Sequence, residues 1–406
     1  MSSVSSVVES SNPVKKLRVG VIYGGRSGEH EVSLASAAAV FRNLDPSRYD
    51  AVAIHIGKDG RWTLPERPPT LVSAADVIEA AKTGVQESAR EAHLVAHPGR
   101  DTLMTIDRNG FPAGSSSGGE STPTVHGETS VVSGLALDVV FPVLHGPYGE
   151  DGTVQGLLEL ANVPYVGAGV LASSVGMDKA AAKLVFAASG LPQCDYEVVL
   201  KREWQRDEHA VLRTVVDHLG FPVFVKPANL GSSVGISKAR HVAELRAAIA
   251  LAAEFDRKIV IEAAVPSARE IEVAVLGNDE PEASVPGEII PSREFYDYEA
   301  KYLDGGSREV IPAHLPDTLA SEIRALAVKA FKALDCAGMA RIDFLLDGDT
   351  GLLYLNEANT IPGFTTISMY SKMWAASGLP YPALIDRLIA LALERHADKQ
   401  QLRTSV

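Results

Sequence analysis

Residues 339–360 read M-A-R-I-D-F-L-L-D-G-D-T-G-L-L-Y-L-N-E-A-N-T, and this stretch predicts a β-hairpin. Two mostly apolar segments, Ala340–Leu346 and Leu352–Ala358, flank the turn sequence D-G-D-T-G, which is rich in residues that tight turns favour. Residues two apart in a strand share a face, so the polar side chains within each segment can be assigned to faces. The sequence therefore predicts an antiparallel pair of strands with polar chemistry on one surface.

Four polar side chains of this hairpin fall on that surface. Arg341 shares a face with Asp343, Glu357 shares a face with Asn359, and pairing around the turn can bring the two pairs together. Carboxylate and amide oxygens are the ligands that Mg²⁺ prefers. An exposed polar face is the alternative, but the intervening residues are apolar and fit it poorly. The pattern favours a magnesium site beside a guanidinium group.

A glycine-rich segment upstream, residues 225–238 (V-K-P-A-N-L-G-S-S-V-G-I-S-K), has features of a phosphate-binding loop. Lys226 ends a predicted strand, and the turn from Gly231 to Gly235 offers backbone N–H groups that can close over phosphates. It is not a Walker A loop, because the spacing G-x-x-x-x-G-K-[ST] does not occur in the chain. An ordinary tight turn explains the glycines equally well. The position of the loop between two strands, with Lys179 upstream, favours the phosphate hypothesis.

Two further segments follow the carboxyl ends of predicted strands, where open α/β sheets bind ligands. The strand Leu17–Tyr23 leads into residues 24–31, G-G-R-S-G-E-H-E, whose turn amides favour anions while Glu29 can hold an ammonium group. The second segment, H-G-P-Y-G-E-D-G, begins at His145 after the strand Leu137–Leu144. The alternatives are a helix cap with surface charges for the first segment and a solvated histidine for the second.

Strands and helices alternate along the chain, which predicts an α/β protein of several domains. The first domain reads as a doubly wound sheet, interrupted by the low-complexity stretch Ala113–Ser130, a predicted loop or flexible insertion. The predicted units are a disordered tail at 1–16, an N-terminal domain at 17–166 with the insertion at about 110–132, a central domain at 167–263, a C-terminal domain at 264–398 and a tail at 399–406.

Composition excludes several classes of protein. The chain has 406 residues and a formal net charge of −13, which argues against a nucleic-acid surface because phosphate backbones demand clustered cations. No apolar run reaches the ~18 residues of a membrane span, and Met1–Pro13 lacks the apolar stretch of a signal peptide. Cys194 and Cys336 therefore read as buried, reduced thiols of a cytoplasmic protein.

Seven motifs, in order along the chain, carry a resemblance to a known family. They are G-G-R-S-G-E-H-E-V-S, H-G-P-Y-G-E-D-G, M-D-K, K-P-A-N-L-G-S-S-V-G, F-Y-D-Y-E-A-K-Y, R-I-D-F and N-E-A-N-T-I-P-G. From about Leu17 to Glu394 the chain resembles the D-alanine–D-alanine ligases of the ATP-grasp superfamily. The resemblance implies an ATP-grasp fold with ATP held between the sheets of the central and C-terminal domains. It further implies a homodimer that joins two D-alanine molecules through a D-alanyl phosphate for peptidoglycan synthesis, using two Mg²⁺ ions that Mn²⁺ can replace.

The resemblance also assigns roles to individual residues. The implied ATP-binding residues are Lys179, Lys226, Ser232, Ser233, Glu262, Ala263, Val265, Glu270 and Lys301. The implied substrate-binding residues are Glu29, His145, Arg341, Gly363 and Ser368. The implied catalytic residues are Glu29, Ser232, Tyr302, Arg341 and Gly363. The implied metal ligands are Asp343, Glu357 and Asn359.

Within these sets the resemblance distinguishes several tasks. Glu262 takes the adenine amino group, although the connection at 263–269 departs from the stretch expected in the family. Arg341 and the Gly363 N–H stabilise an oxyanion. The ammonium group of the first D-alanine goes to Glu29 and the carboxylate of the second to Ser368. A latch of Tyr302, Ser232 and Glu29 excludes water.

Two alternatives remain open. A D-alanine–D-lactate ligase of the same fold is the nearer one. Those relatives carry a histidine in the loop that caps the site, whereas the corresponding loop of this chain, Ser292–Ser307, has Tyr302. The second alternative is a non-ligase dinucleotide-binding protein, in which Gly167-Ala-Gly169 would be the glycine motif that binds the dinucleotide. The preceding residues Pro164–Val166 make a poor central strand, and no suitable acidic residue ends a second strand about 20 residues further on.

Overall fold

The computed structural model of the chain describes residues 15–71, 73–82, 89–99, 102–107, 131–232, 234–291 and 307–403. Within these ranges the chain forms three β-sheets with accompanying helices, so the predicted mixed α/β class is confirmed. In the same ranges we find no helix that combines the length and the apolar character needed to cross a membrane.

The N-terminal sheet has seven strands built around a parallel centre. Its strands are β1 (Leu17–Gly24), β2 (Tyr49–Ile56), β3 (Trp62–Pro65), β4 (Ala89–Leu94), β5 (Leu103–Asp107), β6 (Val131–Leu135) and β7 (Val139–Pro142). The helices of this part are α1 (His30–Asn43), α2 (Ala74–Ala81), α3 (Thr153–Ala161) and α4 (Val170–Met177). β1 lies between β2 and β7 and is parallel to both. The segments that contain Glu29 and His145 therefore leave the sheet at one edge.

The doubly wound prediction describes only part of this sheet. β3 to β6 extend it beyond β2 as antiparallel strands that the sequence did not reveal. They are four to six residues long, and β4 reads A-R-E-A-H-L, without a clean alternation of apolar and polar residues. The predicted insertion at Ala113–Ser130 lies outside the described residues. Its wider bounds, about 110–132, stay a prediction, and residues 131 and 132 at their end belong to β6.

The central sheet has four antiparallel strands in the order β10-β9-β11-β8. They are β8 (Tyr196–Leu200), β9 (Val223–Pro227), β10 (Ser237–Ala239) and β11 (Lys258–Ala263). Its helices are α5 (Lys179–Ala188), α6 (Lys201–Arg206), α7 (Glu208–Leu219) and α8 (Val242–Phe255). The α5 helix begins after Asp178, whose carboxylate caps it by accepting the Ala181 N–H at 3.0 Å. The glycine-rich loop connects β9 to β10.

The C-terminal sheet is antiparallel, with the order β15-β14-β12-β16-β17 and β13 paired to β12. Its strands are β12 (Arg269–Gly277), β13 (Glu282–Ala283), β14 (Gly287–Ile290), β15 (Arg308–Val310), β16 (Gly338–Leu346) and β17 (Leu353–Asn359). The helices that follow these strands are α9 (Asp317–Ala333), α10 (Met369–Ala376) and α11 (Tyr381–Gln400). β16 pairs with β17 around the D-G-D-T-G turn, which confirms the predicted hairpin.

The sequence predicts one strand over Glu282–Ile290 and a last amphipathic helix over about Tyr381–Arg395, and both have different bounds in the structure. The strand is divided into β13 and β14, with Pro286 between them, because proline has no N–H to offer a ladder. The helix continues to Gln400. The boundaries of the predicted domains stay a prediction.

A shared hydrophobic core holds the N-terminal and C-terminal sheets together. Buried side chains of β1 and β7 pack with those of α10 and α11. Within this core the Phe141 and Phe364 rings meet edge to face, with centroids 5.7 Å apart. On α11, Arg395 donates hydrogen bonds to the carbonyls of Tyr165 and Gly167 at 3.2 and 2.5 Å. These contacts fix the first sheet against the two C-terminal helices α10 and α11.

Candidate active site

A cleft of about 600 Å³ is lined by strand residues of the central and C-terminal sheets and by residues of the loops that follow strands of the N-terminal sheet. The residues singled out from the sequence that line it are Glu29, His145, Lys179, Lys226, Ser232, Glu262, Ala263, Val265, Glu270, Arg341, Asp343, Glu357, Asn359, Gly363 and Ser368. Ser233, Lys301 and Tyr302 lie outside the described residues. The structure thus brings distant segments together, while the role of each residue stays a prediction.

The hairpin presents its polar residues in register across the two strands. Arg341 lies opposite Asn359, and Asp343 lies opposite Glu357. The Asp343 carboxylate accepts hydrogen bonds from Arg341 Nε and Nη2 at 2.8 and 2.6 Å, and from Asn359 Nδ2 at 2.9 Å. A register shift follows Asp343, as in a β-bulge, which re-aims side chains at the end of a ladder. Arg341, Asp343 and Asn359 therefore form one hydrogen-bonded group, and Glu357 lies across the ladder from Asp343.

A further carboxylate, Glu272, belongs to this cluster and was not singled out from the sequence. It lies opposite Asp343 on β12, with Oε2 3.2 Å from Arg341 Nε. Burial acts to lower the pKa of Arg341, but Asp343 and Glu272 outweigh it and hold that pKa well above its ordinary value. The guanidinium therefore stays charged. The available signal was a carboxylate directly before the apolar part of a strand, in E-V-A-V-L-G.

The donor atoms of the hairpin fit a hard divalent cation. Among the described residues no group of three His, Cys, Asp or Glu side chains could hold a metal, so the set depends on the Asn359 amide as third donor beside Asp343 and Glu357. Both Asp343 oxygens accept hydrogen bonds, yet each carboxylate oxygen has a second lone pair. An all-oxygen set with two carboxylates suits Mg²⁺ that also binds phosphate oxygens.

Two lysines flank the glycine-rich loop. Lys179 Nζ donates to the Leu230 carbonyl at 2.6 Å, at the start of the loop. Lys226 Nζ lies 3.2 Å from Asn356 Oδ1, so it also reaches the hairpin strand β17. Both lysines line the cleft together with Gly231 and Ser232, so the positive charge that a polyphosphate needs lies on the same side of the protein as the loop. This arrangement favours the phosphate-loop hypothesis over an ordinary turn.

Glu262 lies between two ammonium groups in the interior of the cleft. Lys183 Nζ is 2.9 Å from Oε1 and Lys226 Nζ is 2.5 Å from Oε2. Burial alone would raise the pKa of Glu262, but the two lysines outweigh it and lower that pKa to about 2. Glu262 is therefore an anion that can accept an N–H from a bound base. Lys183 was missed because it lies in the alanine-rich helix K-A-A-A-K-L-V-F-A-A, which gives no signal of a site.

Glu29 is held close to the backbone of two loops. Ser232 Oγ donates to Glu29 Oε1. A Cβ added at Gly231 or Gly146 would lie 2.8 or 2.9 Å from Glu29 Oε2, so the carboxylate lies directly against the backbone of both glycines. Glu29 is the N-cap of α1 but makes no side-chain cap hydrogen bond. Its carboxylate faces the cleft, which argues against the helix-cap alternative.

His145 is buried, with 5% of its surface exposed, so the solvated-histidine alternative was wrong. Its Nδ1 lies 3.1 Å from the Ile361 carbonyl and 4.0 Å from Glu150 Oε1. Burial acts to lower the pKa of His145, but Glu150 and Glu29 outweigh it, so that pKa lies above its ordinary value. The ring lines the cleft together with Glu29, so the two side chains can bind the carboxylate and the ammonium group of one zwitterion.

Ser368 is the N-cap residue of α10. Its Oγ accepts the Thr365 N–H at 2.9 Å and lies 2.8 Å from Thr365 Oγ1. A Cβ added at Gly363 would lie 2.9 Å from the same Oγ, so Gly363 and Ser368 are direct neighbours. The N-terminus of a helix favours a carboxylate. This corner of the cleft can therefore hold the carboxylate of a second amino acid.

The two cysteines are free, as predicted from the sequence, although Cys194 is only half-buried. Burial raises the pKa of Cys194 to about 11 and that of Cys336 to about 12. Because the thiolate is the reactive form, neither is a nucleophile near neutral pH.

The glycines of the dinucleotide-binding alternative have a packing role in the structure. The Gly167 carbonyl accepts the Arg395 hydrogen bond, and a Cβ on Gly338 would lie 3.0 Å from Gly167 N. Two backbone segments therefore touch at this point, and Gly167 and Gly169 are not among the residues that line the cleft. The dinucleotide reading finds no support.

Comparison with known families places both halves of the chain in one group. Residues 18–168 match the family model described as D-ala D-ala ligase N-terminus, and residues 185–390 match the model described as D-ala D-ala ligase C-terminus. A D-alanine–D-alanine ligase of Geobacillus thermodenitrificans is 47% identical over 387 residues, covering 95% of this chain and 98% of the relative. One from Thermoanaerobacter sp. is 49% identical over 389 residues, covering 95% and 99%.

Solved structures give the same result. The D-alanine–D-alanine ligase of Coxiella burnetii superposes with a TM-score of 0.76 and 36% identity, covering 96% of this chain and 97% of that one. A D-Ala:D-Ser ligase from Enterococcus faecalis superposes with a TM-score of 0.75 and 32% identity, covering 93% and 100%.

Proposed function

This chain belongs to the D-alanine–D-alanine ligase family, and we propose on that basis that it joins two D-alanine molecules into D-alanyl-D-alanine, converting ATP to ADP and phosphate. The dipeptide then serves as a precursor of peptidoglycan. One observation carries the proposal. A carboxylate for an ammonium group, lysines for a polyphosphate and an oxygen-donor hairpin with its arginine line the same cleft.

The first step is phosphoryl transfer. A carboxylate oxygen of the first D-alanine attacks the γ-phosphorus of ATP, the bond from that phosphorus to ADP breaks, and an acyl phosphate forms. Lys179 and Lys226 bring positive charge to the phosphates, where charge shifts toward the leaving ADP. Glu29 holds the ammonium group of the same D-alanine, next to His145. Lys301 is a further proposed source of positive charge at the phosphate, and it lies outside the described residues.

A divalent cation, Mg²⁺ or Mn²⁺, would be held by Asp343, Glu357 and Asn359. We propose that these residues bind two such ions. When bound, it supplies charge neutralisation at the phosphate oxygens. The protein holds these donors in place through the Arg341–Asp343 pair and the Asn359 hydrogen bond to Asp343. Asp343 and Asn359 are therefore positioned before any cation binds.

The second step is acyl transfer. The free amine of the second D-alanine attacks the carbonyl carbon, a C–N bond forms, phosphate leaves with the C–O bond electrons, and the amine loses its proton. The Arg341 guanidinium and the Gly363 N–H stabilise the oxyanion, and Ser368 at the start of α10 holds the second carboxylate. Glu262 accepts the adenine amino group, and Glu270 takes the ribose hydroxyls. The hydrogen bond from Ser232 to Glu29 holds the glycine-rich loop over the site. Tyr302 is the proposed third residue of this latch.

The second substrate distinguishes the proposed D-alanine–D-alanine ligase from ligases of the same fold that use D-lactate or D-serine. The curated relatives described above carry the name D-alanine–D-alanine ligase, which supports the dipeptide and not the D-lactate alternative. The similarity to a D-Ala:D-Ser ligase makes D-serine a further substrate to test. We also propose that the enzyme works as a cytoplasmic homodimer, as the resemblance implies.

Phosphate release measures the proposed reaction directly. With ATP and Mg²⁺, D-alanine is expected to release one phosphate for each dipeptide formed, and mass spectrometry should identify D-alanyl-D-alanine. L-Alanine in place of D-alanine serves as the matched control and should release little phosphate. Equal phosphate release with both enantiomers, or release without dipeptide, would contradict the proposal.

A further inference from the structure

A buried serine on α1 contacts two segments of the cleft that are remote in sequence. Ser36 is 0% exposed, on a helix face otherwise made largely of alanine. Its hydroxyl lies 3.1 Å from His145 Nε2 and accepts the Phe364 N–H at 3.2 Å. A hydroxyl in such surroundings needs hydrogen-bond partners, and both partners border the substrate site.

The proton positions in this network follow from the partners. The Ile361 carbonyl can only accept, so in the neutral His145 ring Nδ1 carries the proton and donates to it at 3.1 Å. Nε2 is then an acceptor for the Ser36 O–H. Ser36 Oγ in turn accepts the Phe364 N–H. Each group donates or accepts in a consistent direction, so the network can be fully satisfied.

The network holds both ends of the turn 361–364. His145 contacts its first carbonyl and Ser36 contacts its last N–H, while Tyr381 Oη donates to the Phe364 carbonyl. The Phe364 side chain is fully buried against Phe141. Gly363 lies inside this turn, one residue before the N–H that Ser36 receives. The orientation of the Gly363 peptide therefore depends on these anchors.

We infer that Ser36 is a positioning residue for acyl transfer, acting through the His145 ring and the 361–364 turn on the Gly363 N–H. This inference rests on the proposed function, because it takes the Gly363 N–H as an oxyanion donor. Ser36 does not touch the reacting atoms. Its loss leaves the Phe364 N–H buried without its acceptor and lets the turn shift relative to the carbonyl carbon.

A second serine on the same helix provides a matched control. Ser33 is also 0% exposed, and it too has two hydrogen bonds, accepting the Gly24 N–H at 2.7 Å and donating to the Val143 carbonyl at 2.6 Å. Its partners belong to the ends of β1 and β7 and not to the 361–364 turn. Ser33→Ala therefore reports the effect of losing a buried hydroxyl from α1 in general.

The test compares Ser36→Ala with Ser33→Ala and the unaltered chain, measuring phosphate and dipeptide in the same reaction. Ser36→Ala is expected to lower the kcat of ligation about tenfold, the scale of one lost buried hydrogen bond, with little change in KM for ATP. Because the acyl phosphate still forms but is captured more slowly by the amine, its hydrolysis should raise the ratio of phosphate to dipeptide above one. Ser33→Ala should keep that ratio at one.

Ser36→Cys covers the case in which Ser36→Ala does not fold, since a thiol keeps the side-chain size but is a weak donor and acceptor. It is also expected to raise the phosphate-to-dipeptide ratio. Unchanged ratios in the folded Ser36 variants, or an equal rise in Ser33→Ala, would overturn the inference. Absence of dipeptide from the unaltered chain would instead overturn the proposed function, and this inference with it.

Discussion

Replacing Glu357 by glutamine is expected to lower the rate of ligation by at least about a hundredfold while leaving the fold intact. Glutamine has nearly the same shape but lacks the charge and the second strong oxygen donor. Glu357 lies opposite Asp343 in the hairpin, and its charge also acts on Lys226 and Arg341. Those two cations keep their contacts with Glu262 and Asp343, so the melting temperature should change little.

Calorimetry separates the effect on the cation from the effect on the fold. The Glu357→Gln variant should lose the Mg²⁺-dependent part of ATP binding while melting near the temperature of the unaltered chain. Glu282→Gln is the matched control, because Glu282 is exposed on β13 of the same sheet and does not line the cleft. Normal turnover in Glu357→Gln would refute the assignment of the hairpin as the cation site.

Replacing Arg341 by methionine is expected to lower both activity and stability. Removing an oxyanion donor typically slows acyl transfer by about 10²–10³. Breaking a buried pair while leaving its partner charged destabilises a protein by about 3–5 kcal/mol, and Asp343 and Glu272 would both lose their cation. Arg341→Lys should be intermediate, because lysine keeps the charge but cannot form the two-pronged contact with Asp343.

A double variant distinguishes the two effects. Adding Glu272→Gln to Arg341→Met removes one of the stranded carboxylates, so part of the lost stability should return. Activity should not return, since the oxyanion donor is still missing. Urea unfolding and dipeptide formation measured on the same samples would show this. Recovery of activity together with stability would mean that Arg341 acts only through the fold.

The hairpin and its polar face could be predicted because local rules determine them. The pentapeptide D-G-D-T-G, which is rich in turn-forming residues, determines how the two strands pair. The two-residue period of a strand then places Asp343 and Glu357 opposite each other. Likewise the continuous apolar run of β1 identifies a central parallel strand. In these segments, sequence neighbours carry the information that decides the structure.

The parts that escaped prediction depend on long-range pairing. β4, A-R-E-A-H-L, is a strand because its neighbours hydrogen-bond to it, and its own residues do not indicate it. The contacts of Lys183 with Glu262 and of Ser36 with His145 join residues from different elements. Periodicity assigns a side chain to a face of its element but does not name the partner across the interior. Only the assembled sheets reveal these pairs.

Competition between D-alanine and D-lactate for the second position, with D-serine in a parallel arm, tests the central claim most directly. At pH 6 most of the D-alanine amine is protonated and cannot attack, while the D-lactate hydroxyl has no ammonium form, so low pH handicaps the dipeptide most. We expect D-alanyl-D-alanine as the main product at pH 6, with its rate rising toward pH 9 as the amine loses its proton. Predominant D-alanyl-D-lactate or D-alanyl-D-serine would contradict the claim that this chain makes D-alanyl-D-alanine.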